Sequence, residues 1–262
     1  MADTFSAGCV YLHILSHGSL DYYDTIGIEI IVAQIVSTHN ERNLSRRNYI
    51  QGSFGIRFLV SERNLTWWLI MKTILIAYGT RFGSTEEVAQ RIKEILEEYD
   101  CSVHLLDVKG VKEKNWPSLQ NYEGVIVGSS IKMMKWMKEP KRFLQKYQQE
   151  LSGSDKILGV FVSSMGAAIP DQRQEAHDKC INEVMRELRI QPAIADAFGG
   201  VFDFSSTSRM GSIDKRMAKF AAMAMTEESG LTIDTDARND FRDWEQIKDF
   251  TERFHKLLNS EA

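Results

Sequence analysis

Paired cysteines, the H-E-x-x-H motif and long apolar runs are all missing from this chain, and each absence removes a class of function. The three cysteines, Cys9, Cys101 and Cys180, lie far apart and form no C-x-x-C. That excludes a zinc or iron–sulfur site built on paired thiolates, and it excludes a disulfide framework. Each cysteine reads as a small buried hydrophobe. There is no H-E-x-x-H, and His104, His177 and His255 are too widely spaced to pair as metal ligands. No G-x-S-x-G elbow and no paired-carboxylate constellation stands out, so any chemistry must belong to a cofactor. The net charge of -4 does not suit a nucleic-acid partner. No stretch has the length of a membrane span, and the first residues lack the basic and apolar regions of a signal peptide. With the unpaired thiols, this predicts a cytoplasmic protein.

Lysine is also unevenly missing. Residues 1–70 contain none, and every lysine lies between Lys72 and Lys256. Met71 is the first methionine after Met1. The upstream segment has apolar runs at 26–36, 58–60 and 67–70 without a complete helical or strand pattern. Two readings stand: an extension that packs on the domain, or translated sequence upstream of a start at Met71. The lysine gap favours the second. The domain expected to carry the function is 71–262.

From Met71 the pattern alternates. Strands are expected at 73–78, 103–108, 125–129 and 157–163, with a fifth beginning over 194–201. Helices are expected at 85–99, 140–151, 171–188 and 243–258, with Val88, Ile92, Ile95 and Leu96 near helical spacing in the first. Continuous apolar runs such as VIVGS and ILGVFVS suit strands buried on both faces of a parallel sheet. Alternating strands and helices predict an α/β doubly wound sheet, whose ligands bind beyond the carboxyl ends of the strands.

Three loops leave those ends. The first holds Thr80, Arg81, Phe82, Gly83, Ser84 and Thr85 at a helix N-terminus, where free N–H groups and a partial positive charge favour a phosphate. Glycine permits close backbone approach and the hydroxyls add donors. The loop is neither G-x-x-x-x-G-K-[ST] nor G-x-G-x-x-G, which argues against nucleoside triphosphate and NAD sites. The second loop holds Ser129, Ser130, Ile131, Lys132 and Met133. Lys132, Lys135 and Lys138 would place positive charge near a bound group. The third holds Ser163, Ser164, Met165 and Gly166. Trp136 and Met165 are candidates to cover the face of a flat ring.

The stretches MKTILIAYGTRFGSTEEVA, VIVGSSIK, GGVFDF and DKRMAKFAAMAM, with the closing DWEQIKDFTERF, resemble the flavodoxin family. Within it they are most similar to the menaquinone-dependent protoporphyrinogen oxidase type. The resemblance covers 71–262 and none of 1–70. It implies a flavodoxin-like five-stranded parallel sheet of order 2-1-3-4-5, with an insertion near strand five. It also implies FMN, with its phosphate on the first loop and its ring between the second and third. The segment 203–242 is longer than a strand-to-helix connection needs. Within it, 214–225 can form a helix that fills a sheet edge or contacts a membrane surface peripherally. Two functions follow. One is an FMN-dependent oxidoreductase, linked to protoporphyrinogen or a quinone, with a small-molecule substrate. The other is an electron carrier that docks on a redox partner protein and has no substrate of its own.

Overall fold

The computed structural model of the protein describes residues 49–51, 57–59, 71–153 and 156–260. The apolar runs at 26–36 and 67–70, and Cys9, lie outside the described residues. Tyr49–Gln51 and Arg57–Leu59 pair as a two-stranded sheet.

Five strands form the main sheet: β1 (Thr73–Gly79), β2 (Ser102–Asp107), β3 (Gly124–Ser130), β4 (Ile157–Ser163) and β5 (Ile194–Phe198). Their order is β2-β1-β3-β4-β5 and every pairing is parallel. This is the doubly wound order expected from the sequence. Because successive side chains alternate faces, Ile74, Ile76 and Tyr78 enter one core and Leu75 and Ala77 the other. The first core lies under α1 (Ser84–Glu98) and α7 (Trp244–Ser260), which bury Val88, Ile92 and Leu96 against Phe250 and Phe254. The second lies under α2 (Lys138–Lys146), α3 (Gln148–Leu151), α4 (Pro170–His177) and α5 (Glu183–Leu188). Cys101 and Cys180 are buried free thiols, and burial pushes each up to about 11. That suits packing rather than reaction.

The structure differs from the sequence expectation in four places. The helix expected over 140–151 is two, broken at Tyr147. The helix expected over 171–188 is interrupted by a π turn, Asp178–Asn182. Trp136 Nε1 donates to the Cys180 carbonyl there, so a buried indole finds its partner where the helical ladder loosens. Trp136 is therefore core and not a ring-facing residue. Strand five ends at Phe198, and at the next residue, Gly199, the Phe241 carbonyl packs so close that a Cβ would fall 2.0 Å from its oxygen. That close approach starts the insertion: β6 (Val201–Asp203), α6 (Ser212–Ser229) and β7 (Arg238–Asp240), with β6 and β7 antiparallel. Its small core joins Phe202, Phe204, Met210 and Ala222 to Phe82 and Met165 of the sheet-end loops. Met217 and Phe220 of α6 are exposed, while Ala218, Ala222 and Met225 face inward.

Candidate cofactor site

The first loop turns between β1 and α1. Gly83 has φ 103°, a left-handed conformation that disfavours any side chain. Its N–H donates to Thr80 Oγ1 at 2.9 Å, which closes the turn. The turn thereby aims the unpaired N–H groups of the first helical residues outward. Glu86 and Glu87 sit in that same first turn and would oppose an anion. The insertion answers both. Arg209 Nη1 donates to Glu86 Oε2 at 2.5 Å, and Glu87 Oε2 accepts from Arg238 at 2.6 Å and from Arg242 at 2.7 Å. Arg242, with a side chain 1% exposed, also donates to Asp240 and to the Ser84 carbonyl. Burial alone would raise Glu87, but the hydrogen bonds from Arg238 and Arg242 hold it below the usual carboxylate range. Asp240 is held low in the same way by Arg242, against its own burial.

The second loop is a tight hairpin. Lys132 and Lys135 exchange both backbone hydrogen bonds, and the two residues between them, Met133 and Met134, adopt φ 52° and 58°. Lys132 Nζ reaches Asp214 Oδ1 of α6 at 2.9 Å. The third loop is tied to β5 and the residue after it: Ser164 N–H donates to the Phe198 carbonyl, and Ser163 Oγ to the Gly199 carbonyl.

These loops and α6 enclose a cavity of about 360 Å³. Of the expected residues, Arg81, Phe82, Ser84, Ser130, Ile131, Lys132, Met133, Ser163, Ser164, Met165 and Gly166 line it together. Thr80, Gly83, Thr85 and Ser129 do not. Thr80 and Gly83 shape the turn. Ser129 Oγ accepts from Met137 N–H, at the start of α2, and donates to the Ser130 carbonyl. Thr85 is fully buried. The insertion adds Met210, Asp214, Met217, Ala218, Ala221 and Met225 to the lining, none of which loop chemistry identifies. Arg209, Arg238 and Arg242, which restrain the first-turn carboxylates, carry no spacing signal either; only the unusual length of the segment marks them.

The flavodoxin domain family matches residues 75–232. The chain belongs to that family. FMN is its cofactor, and the site passes a test of fit. Arg81 Nε, Thr85 Oγ1 and Ser130 Oγ are buried donors with no hydrogen-bond partner among the described residues. Such groups are costly unless something accepts from them, and two of the three belong to the loop suited to a phosphate. Burial depresses the Arg81 guanidinium, and the nearby Glu139 and Asp214 act against that. The flavodoxin domain is 24% identical to the protoporphyrinogen IX dehydrogenase [quinone] of Escherichia coli, over 72% of this chain and 97% of that protein. The rubredoxin:oxygen oxidoreductase of Desulfovibrio gigas aligns at 17% identity and TM-score 0.44, over 72% of this chain and 36% of that one. A Fusobacterium nucleatum flavodoxin bound to flavin mononucleotide aligns at 17% identity and TM-score 0.34, over 49% and 69%.

Proposed function

We propose that the chain is an FMN-dependent oxidoreductase with its own organic substrate, passing electrons to a quinone-class acceptor. The observation carrying this is the wall that the insertion adds to the cavity. An electron carrier works by leaving its flavin edge open to a docking protein. Here Met210, Met217 and Met225 of the insertion face the loops across the cavity, beside Met133, Met134 and Met165. Thioether side chains adapt to apolar ligands of varied shape. The E. coli relative is named for a porphyrinogen substrate and a quinone acceptor, both with large apolar surfaces, which supports the same reading.

In this reading the N–H groups of Ser84 and Thr85, the Thr85 hydroxyl and the Arg81 guanidinium bind the FMN phosphate. Ser130, Ile131, Ser164 and Gly166 hold the ring between the second and third loops. Bound FMN supplies two-electron chemistry. Lys132 and Asp214, paired across the cavity, fix the distance between the second loop and α6. Gly200 lets Met165 pack closely, since a Cβ there would meet the Met165 sulfur at 2.8 Å.

The test is flavin extraction followed by steady-state assays with protoporphyrinogen, other reduced organic donors and quinones. Turnover of a small-molecule donor with quinone reduction is expected. An FMN protein that exchanges electrons only with other redox proteins would establish the carrier instead.

A further inference from the structure

Helix α6 turns two faces in opposite senses. Ala218, Ala222 and Met225 pack into the insertion's core. Ile213, Met217 and Phe220, spaced i, i+4, i+7 along one stripe, are 79%, 51% and 64% exposed. The Lys132–Asp214 ion pair brings the hairpin tip beside the first turn of this helix, and there Met133 is 80% exposed. Both central residues of that tip are methionines in left-handed backbone, where Asn or Gly would be at ease. The chain thus holds large apolar side chains out of the core at a conformational cost. Contiguous exposed apolar surface of this kind marks an interaction site.

We propose that the α6 stripe and the 132–135 hairpin tip together dock on an anionic lipid surface. Charge selects this occupant. Lys135 of the hairpin and Arg216 of α6 are exposed and have no carboxylate partner among the described residues. The rim carboxylate Asp214 is already held by Lys132. A chain of net charge -4 therefore gathers free cations where its apolar side chains protrude, the pattern of an interfacial helix facing anionic headgroups. A second copy docked through the same stripe would set these cations against one another. The stripe also runs into the cavity, since Met133, Met134 and Met217 line it too. An apolar molecule dissolved in the bilayer would reach the cavity without crossing water.

The experiment uses the full-length, FMN-loaded protein and vesicles of phosphatidylcholine with or without phosphatidylglycerol, read by co-sedimentation. Binding is expected to the anionic vesicles and to weaken as salt rises. Replacing Ile213 and Phe220 by serine should lower the partition coefficient about tenfold or more. Lys135→Gln and Arg216→Gln should each cost about fivefold, on anionic vesicles only. Ile213 and Phe220 do not line the cavity, so retained flavin absorbance in their variant shows an intact site. This readout is independent of substrate identity. No vesicle binding by the wild type, or binding indifferent to phosphatidylglycerol, would overturn the proposal. So would a dimer in sedimentation that the serine variant abolishes without any change in lipid binding.

Discussion

Lys132 Nζ lies 2.9 Å from Asp214 Oδ1, so a side chain expected to present a bare positive charge to the cofactor is neutralised by the insertion. Both residues line the cavity. The pair makes the insertion an electrical part of the site as well as a wall of it.

Reduction potential reads this pair directly. Two unit charges about 6–8 Å apart at an effective dielectric near 20 interact by about 2–3 kcal/mol, and a third of that survives screening at a half-exposed site. Asp214→Asn should unmask Lys132 and raise the hydroquinone couple by on the order of tens of millivolts. Lys132→Gln, leaving Asp214 alone, should lower it by a similar amount. The double variant should sit near wild type. Potentiometric titration of all three checks this, and identical potentials throughout would show that the pair lies too far from the flavin to tune it.

Thr85 separates cofactor binding from folding. Its buried hydroxyl has no partner among the described residues, so Thr85→Val removes an unsatisfied group from the apoprotein. The apoprotein melting temperature should hold or rise. FMN affinity should fall by about 1.5–3 kcal/mol if the hydroxyl donates to the phosphate. Fluorescence titration with FMN, beside a melt of the apoprotein, measures both.

Acid should loosen the insertion. Glu87 and Asp240 are held below their ordinary values of 4.5 and 3.8. A carboxylate whose folded value is depressed adds stability above its unfolded value and loses it as pH falls through the folded one. Stability should therefore decline from about pH 4.5 downward through the acid range. Arg242→Met should cost about 2–3 kcal/mol, at the low end for breaking a buried ion pair because both carboxylates are part-exposed. It should also flatten that acid dependence. Urea unfolding at a series of pH values tests both effects together.

Gly199 has no room for a methyl group. Because a Cβ would meet the Phe241 carbonyl oxygen at 2.0 Å, Gly199→Ala must displace the β6–β7 pair. A loss of several kcal/mol is expected, on the order of a severe overpacking change. Amide exchange should accelerate first in 201–242, with the five-stranded sheet still protected.

A chain beginning at Met71 should fold and bind FMN. The expectation rests on the lysine gap upstream and on β1 opening at Thr73. Insolubility of that shorter chain, when the full chain is soluble and yellow, would make residues 1–70 structural.

The β strands and α1 were legible because their signals are local. Ile157–Ser163 is one apolar run bounded by turns, and it is a strand with those limits. The first loop was legible because a glycine in left-handed backbone before a helix is a short-range arrangement. The break of the 171–188 helix was not, since it depends on an indole from a residue more than forty positions earlier.

By itself the sequence determined the fold class, the sheet order through its family resemblance, and the three loops at the strand ends. Each rests on side-chain periodicity or turn chemistry within a few residues. Only the tertiary structure decided what surrounds those loops. It set Arg209, Arg238 and Arg242 against the carboxylates of α1, paired Lys132 with Asp214, and turned Met217 and Phe220 outward. The physical reason is sequence separation: Arg242 and Glu87 are 155 residues apart, and no local pattern records which distant charge a folded chain brings within hydrogen-bonding reach.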